Sequence, residues 1–452
     1  MAPILHRQRG AIAIMVAISM LVLLGVVGLA IDGGLAYLVK ARLNAAVDSA
    51  ALAGARAVTT GNNEAEQRAS AKVAAEDFFK ANIPDNYLLS APKILSTTVT
   101  FKAGQAIIDV VADAKMPVSI MQVMGFQSLT PVAAAQTIRS DLDMALVIDT
   151  SGSLKGSAAT VRNSSKSFLS RFNVTQDRVA LIHFASGVET DNPFDTSTRG
   201  FDRTSMNATI TNYNFAGGTS SFEGVWKARE QLNSVPLANR STMRVIVFFS
   251  DGAPTSFGSS LTFNTPSDCT RVGSVDRVLD GGGLGNLANS ELILLSEGCK
   301  TWRYTTVNKK TVAVPAVRQL PAWYNARAGS VREFPIVTTT PRVVTADIST
   351  AELFERNILR ASRNLAESVA EKSRTEGITV FTLGFGAALK ESEPSDPDTG
   401  EMILKCMANT ADAPKRCQKP SQPVGMYCYA ATDADLSPCF SRLASAILRI
   451  SQ

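Results

Sequence analysis

Between Arg9 and Asp32 the chain runs GAIAIMVAISMLVLLGVVGLAI, 22 residues without one charge. Wound as an α-helix at 1.5 Å per residue, this segment measures about 33 Å, enough to cross a hydrocarbon core of about 30 Å. Its flanks are unequal, with Arg7 and Arg9 before it and Asp32 directly after it. The bias of positive charge toward the cytoplasm therefore assigns residues 1–9 to a cytoplasmic tail and 10–31 to a transmembrane helix, and sends the rest across the membrane. A cleaved signal peptide is the competing reading, but its apolar region spans about 7–15 residues and ends at a small-residue site. The run here is longer, and GLAIDGG offers only a weak site.

The chain continues as GGLAYLVKARLNAAVDSAALAGARAV, in which Leu35, Leu38, Leu43 and Val47 recur near helical spacing. Ala46, Ala50 and Gly54 form a small-residue face suited to close helix packing, either on a sister subunit or envelope helix or on the next helix of this chain, about 63–82. The combination of RGAIAI, the apolar run, Asp32 and AAVDSAALAGA resembles the N-terminal module of TadG-like tight-adherence (Flp) pilus-assembly proteins. It is also similar to pilin-like subunits, whose processing site carries a Glu five residues past a Gly. Met15 stands at that position relative to Gly10, which argues against such processing. From about 90 to 140, STTVTF, QAIIDVVADA and VAAAQTIRS carry alternating apolar residues with breaks at Lys102–Gln105 and at Pro117. Residues 32–140 thus read as a helical and β-rich stalk, with a short amphipathic helix near Val118–Met124 and no ligand cluster or acid–base pair.

At Asp143 the pattern becomes an α/β alternation. MALVID, RVALIHF (178–184), MRVIVFFSDG (243–252) and GITVFTLGF (377–385) read as strands buried on both faces of a parallel sheet, with a helical stretch at 157–172. The fold class is therefore α/β: a transmembrane helix and stalk, then a doubly wound, Rossmann-like domain over 141–452. In such sheets ligands bind outside the carboxyl ends of the strands. Three segments reach that edge: Asp149-Thr150-Ser151-Gly152-Ser153, the loop around Thr219 in FAGGTSSFEG, and Asp251 in FFSDG. A carboxylate and two hydroxyls on one turn offer hard oxygen ligands suited to Mg²⁺.

DTSGS, GGT and SDG, in this order and on these elements, resemble the metal-ion-dependent adhesion site of von Willebrand factor A (vWA) domains. The resemblance covers about 141–254 and 351–450. It implies that Asp149, Ser151, Ser153, Thr219 and Asp251 hold Mg²⁺ or Mn²⁺. It also implies that a protein partner supplies a carboxylate or similar oxygen as the last ligand.

A long insertion, about 255–350, separates Asp251 from the next helix. It leaves from the strand end that carries Asp251, so topology predicts that it emerges on the metal-bearing face. Its Trp302, Tyr304, Trp323 and Tyr324 argue for packing over disorder. All six cysteines, Cys269, Cys299, Cys406, Cys417, Cys428 and Cys439, lie in the C-terminal half, and no pair has Cys-x-x-Cys spacing. In an exported chain they are disulfide candidates; in a cytoplasmic one they would be buried thiols. A Cys269–Cys299 bridge would pin the insertion. The simplest pattern for the other four is Cys406–Cys428 and Cys417–Cys439, ahead of a helix over 438–450.

A net charge of +5 over 452 residues, with no dense Lys/Arg stripe, gives no basis for nucleic-acid binding. No Gly-x-Ser-x-Gly elbow, P-loop or His-Glu-x-x-His is present, and DGGGLG follows no strand, so the expectation is a binding protein and not an enzyme. Ser151 and His183 could be imagined as nucleophile and base, but His183 lies within an apolar strand. The TadG-like module implies an inner-membrane, single-pass component of pilus assembly with a periplasmic head and pilus or envelope proteins as partners. A surface adhesin binding an extracellular ligand is the alternative.

Overall fold

The computed structural model describes residues 9–58, 60, 64–102, 105–263, 271–278, 284–288, 300–307, 309–327 and 332–450. They form two compact units that divide between Arg139 and Ser140.

The N-terminal unit is built on α1 (Arg9–Ala57), a single helix of 49 residues. Its first half presents Leu21, Val22, Leu23, Val26 and Leu29 outward, and this part is long and apolar enough to cross a membrane. From Val39 onward the character changes: Val39, Leu43, Ala46, Val47, Ala50, Ala51 and Ala55 are buried together. They pack on α2 (Glu64–Asn82) and on a sheet of β1 (Ala91–Lys102), β2 (Gln105–Pro117), β3 (Ser128–Leu129) and β4 (Val132–Ser140), with β2 pairing to all three others. The small-residue face of α1 thus meets its own chain. A Cβ on Gly54 would lie 3.1 Å from Ile108 Cγ2 and 3.2 Å from the Ala71 carbonyl, so glycine permits three elements to close at this point. Along β2 the buried residues are Ala106, Ile108, Val110, Ala112, Ala114 and Met116, the strict alternation of a strand with one covered face. The amphipathic helix read near Val118–Met124 is a single 3₁₀ turn, Met121–Met124, closed by Gly125 at φ +91°.

The second unit is a six-stranded sheet in the order β14-β13-β8-β5-β6-β7. It comprises β5 (Leu142–Asp149), β6 (Arg178–Phe184), β7 (Val188–Asn192), β8 (Met243–Ser250), β13 (Thr379–Phe385) and β14 (Tyr427–Ala430). Only β7 runs antiparallel, as an edge on β6. Every residue of β5 and β8 is buried, as their unbroken apolar character requires of central strands covered on both faces. On one face lie α3 (Ala158–Leu169), α4 (Arg203–Thr211) and α8 (Asp433–Ile450). On the other lie α5 (Ser221–Ser234), α6 (Ala351–Thr375) and α7 (Gly400–Ala408). Thr350 and Thr399 cap α6 and α7, each accepting from the N–H three residues on. At the amino end of β5, buried Asp143 pairs with Arg178 at 2.8 Å and accepts the Ser241 N–H at 2.9 Å. This ion pair ties the starts of β5, β6 and β8 together, at the opposite end of the strands from Asp149.

The insertion is part of the core. It contains two hairpins, β9–β10 (Ser256–Leu261, Arg271–Asp276) and β11–β12 (Trp302–Val307, Lys310–Pro315). Phe257, Leu261, Val275, Tyr324, Phe334 and Ile336 are buried against the α5–α6 face. Buried Glu223 of α5 fixes it, accepting from Gly258 N (3.0 Å), Tyr324 OH (2.5 Å) and Arg327 Nε (2.6 Å). Of the four aromatics expected to pack, Tyr324 is buried, Trp302 is partly buried, and Tyr304 and Trp323 are exposed.

Two expectations need correction. The bridges are Cys406–Cys417 and Cys428–Cys439, not Cys406–Cys428 and Cys417–Cys439. Cys428 on β14 and Cys439 on α8 belong to the α3–α8 face, whereas Cys406 and Cys417 form a separate small cluster beside α7, so the alternative pairs could not meet. The C-terminal helix begins at Asp433, five residues ahead of Pro438, so the proline stands inside the helix, where it forgoes one i→i−4 hydrogen bond. Cys269, Cys299 and the glycines of DGGGLG up to Gly283 lie outside the described residues.

Candidate functional site

The carboxyl ends of β5 and β8 are adjacent in the sheet, and each delivers an aspartate to the same point. Asp149 is fully buried; its Oδ1 accepts from Ser151 N at 2.8 Å and its Oδ2 from Ser250 Oγ at 2.6 Å. Ser151 Oγ lies 3.2 Å from Ser153 Oγ, and Ser153 Oγ donates to Asp251 Oδ1 at 2.9 Å. One chain of hydroxyls therefore links two nearly buried carboxylates. Burial raises the pKa of Asp149, and the neighbouring Asp251 charge raises it further; burial also raises Asp251. Among the described residues neither carboxylate forms an ion pair with a lysine or arginine.

The Thr219 loop lies against this turn. Gly152 N donates to Gly217 O at 3.0 Å, and Ala216 N donates to Thr150 O at 2.9 Å. Gly217 adopts φ +91°, and a Cβ there would sit 2.7 Å from Ser186 Oγ, so no other residue fits without displacing a neighbour. Thr219 is held by the start of the insertion: its N–H donates to Thr255 Oγ1 (3.2 Å), and its carbonyl accepts from Thr255 N (3.1 Å) and Ser256 N (3.4 Å). Thr255 Oγ1 in turn donates to Asp276 Oδ2 at 3.2 Å. Ser220 Oγ joins the Ser186 carbonyl, Ser256 Oγ and Ser274 Oγ.

All five residues singled out from the sequence thus lie on three contiguous loops, with Asp149, Ser151, Ser153 and Asp251 linked by hydrogen bonds and Thr219 on the adjoining loop. Ser250, Thr255 and Asp276 were missed. Ser250 is the serine of the SDG motif, visible but passed over. Asp276 is 25 positions beyond Asp251 in a segment with no motif, and nothing local marks it. Ser151 and His183 do not meet as nucleophile and base: Ser151 engages Ser153, while His183 Nδ1 lies 2.8 Å from Asp191 Oδ2, which also accepts from Tyr213 OH at 2.7 Å.

The donor set fits a divalent cation. Two buried carboxylates raised by desolvation, Asp149 further by the Asp251 charge, and joined by neutral hydroxyls, supply oxygen ligands whose negative charge meets no lysine or arginine among the described residues.

The open parallel sheet with this oxygen cluster at its carboxyl edge defines a vWA-like domain. Residues 143–298 match the family model of the von Willebrand factor type A domain, and residues 10–57 match that described as "Putative Flp pilus-assembly TadE/G-like". No curated protein matches the chain. Among solved structures, the pilus adhesin SpaC from Lactobacillus rhamnosus GG is similar at 15% identity and a TM-score of 0.39, over 79% of this chain and 35% of that one. The chain thus spans about a third of SpaC's length. The PilB minor pilin from Streptococcus sanguinis is similar at 15% identity and a TM-score of 0.40, over 80% of this chain and 79% of that one. The vWF domain of the type V pili tip protein Mfa5 from Porphyromonas gingivalis gives 16% and 0.37, over 70% and 98%. Domains of the vWA family commonly bind a metal at this motif.

Proposed function

We propose that this chain is a membrane-anchored, metal-dependent protein-binding component of Flp (tight-adherence) pilus assembly, without catalytic activity. The observation that carries the reading is the hydroxyl-bridged carboxylate pair, Asp149 and Asp251, at the carboxyl edge of the sheet. Asp149, Ser151, Ser153, Thr219 and Asp251 would hold Mg²⁺ or Mn²⁺. Bound there, the ion supplies an electrophilic position that takes a carboxylate oxygen from a partner protein. The chain's own part is to hold the oxygens apart from competing cations and to fix the Thr219 loop through Thr255 and Asp276. The match of residues 10–57 supports pilus or envelope proteins as partners, with α1 as a single inner-membrane span, residues 1–9 cytoplasmic and the head periplasmic.

The test is affinity capture with the full chain in detergent from envelope extracts, in Mg²⁺ or chelator, with Asp149→Ala as control. Pilus-assembly proteins should be retained only with Mg²⁺ and intact Asp149. Retention of the same proteins in chelator would sink the metal-bridged reading. Recovery of no envelope protein would favour an adhesin whose ligand lies outside the cell.

A further inference from the structure

The segment Val118–Phe126 lies against α1 within the uncharged run. A Cβ on Gly25 would stand 3.0 Å from Met124 Sδ, and one on Gly28 would stand 3.1 Å from Ile120 Cγ2 and 3.2 Å from Met121 N. From Asp32 back to Gly25 the helix descends seven residues, about 10 Å. The loop therefore reaches about 10 Å below Asp32, alongside the part of α1 that bears exposed Leu21, Val22, Val26 and Leu29. Its own tip is equally apolar and open: Val123 and Met124 are each 57% exposed and Phe126 48%. No charged residue occurs between Lys115 and Arg139.

Several of the loop's backbone N–H groups are paired within the protein. Ser119, Ile120 and Met121 donate to the Asp32 carboxylate at 3.0, 2.9 and 2.8 Å. Val123 N donates to Ile120 O, Gly125 N to Gln122 O and Phe126 N to Met121 O. Gln122 Nε2 turns back to the Val118 carbonyl at 2.8 Å. Exposed apolar side chains on a loop with these N–H groups paired lower the cost of entering hydrocarbon, where each unpaired polar group costs several kcal/mol.

We propose that this loop is a second, non-spanning membrane contact, seated among acyl chains beside α1 with Val123, Met124 and Phe126 as its lipid-facing residues. The proposal rests on the reading of α1 as a membrane span. It follows that the uncharged surface entering the bilayer is broader than one helix, and that Asp32 works from the inside of the contact as the acceptor that lets a backbone turn enter lipid.

The full chain, reconstituted in phosphatidylethanolamine–phosphatidylglycerol vesicles whose acyl chains carry a diazirine, would be irradiated and mapped by mass spectrometry after trypsin. Cleavage after Arg9, Lys40, Lys115 and Arg139 separates the two segments into peptides 10–40 and 116–139. Lipid adducts are expected on both, and Met124→Glu should lower those on 116–139 at least fivefold while leaving 10–40 unchanged. Adducts confined to 10–40 would overturn the inference and leave α1 in the membrane, with the loop in water or covered by a second copy. Adducts on neither would overturn the membrane reading and the inference together.

Discussion

Ser153 Oγ donates to Asp251 Oδ1 at 2.9 Å across 98 positions of sequence, and through it the first turn of the vWA-like domain is joined to the end of its central strand. The same hydroxyl lies 3.2 Å from Ser151 Oγ, so the acceptor carboxylates at β5 and β8 share one hydrogen-bonded relay. The relay holds the oxygens together, but it does not neutralise them.

That imbalance predicts how the domain responds to ions. Millimolar Mg²⁺ or Mn²⁺ should raise the thermal midpoint; at a concentration a hundredfold above Kd the stabilisation is about 2.7 kcal/mol. Asp251→Asn relieves the repulsion with Asp149, so the metal-free variant should melt no lower than the metal-free wild type. It should also lose the ion-dependent rise. Differential scanning fluorimetry of both proteins with and without chelator decides the matter, and an equal Mg²⁺ shift in Asp251→Asn would rule out Asp251 as a ligand.

Removal of Glu223 should be among the most damaging single changes in the head. Its carboxylate is fully buried and takes Gly258 N, Tyr324 OH and Arg327 Nε. Glu223→Ala strips the Gly258 N–H, the Tyr324 phenol and the Arg327 guanidinium of the acceptor they share, a loss of about 3–5 kcal/mol. Glu223→Gln keeps the Gly258 and Tyr324 bonds and should cost less. Urea unfolding of the two variants gives the comparison; equal losses would mean that the Arg327 ion pair contributes little beyond its neutral replacement.

How much of this was readable in advance follows from the range of each interaction. The apolar runs of β5, β6, β8 and β13 announce themselves because central strands are buried on both faces, and their ends were placed within two residues. The edge strands β7 (VETDN) and β14 (YCYA) carry no such signal; one is polar and both are short. The five candidate ligands were legible because each sits directly after a strand or on a glycine-flanked loop. The clamp that holds Thr219 was not, since Thr255 and Asp276 act through a hairpin whose position is set by tertiary contacts. The even spacing of the last four cysteines carried no pairing information, because which face of the sheet each one joins is decided by β14 and α8.

The disulfides offer a direct check on that last point. Non-reducing peptide mapping should recover Cys406 linked to Cys417 and Cys428 linked to Cys439, each closing a separation of 11 residues. Loops of this size constrain the unfolded chain by about 3 kcal/mol. Replacing Cys428 and Cys439 together by alanine should therefore lower stability by up to that amount without altering metal binding, since both lie on the α3–α8 face and neither touches the aspartate pair. A variant with reduced Mg²⁺ affinity would show that the bridge reaches the site through β13 and β14.

Asp32 gives the sharpest expectation in the N-terminal unit. One carboxylate oxygen accepts from Ser119 and the other from both Ile120 and Met121, so the two oxygens are not equivalent. Hydrogen bonds to a charged acceptor contribute about 1.5–3 kcal/mol each, and loss of even one should cut amide protection about tenfold. Asp32→Asn retains a single carbonyl acceptor. Placed on the side of Ile120 and Met121, it leaves Ser119 facing an NH₂ group. Hydrogen exchange of the full chain should then rank the variants Ala, Asn, wild type from fastest to slowest at Ile120 and Met121, with Ser119 equally fast in both variants. The second unit, judged by its own amides, should be unchanged. Uniform exchange across all three proteins would mean that the loop keeps its turn without the carboxylate, and that the packing of Ile120 and Met124 on Gly28 and Gly25 alone fixes it in place.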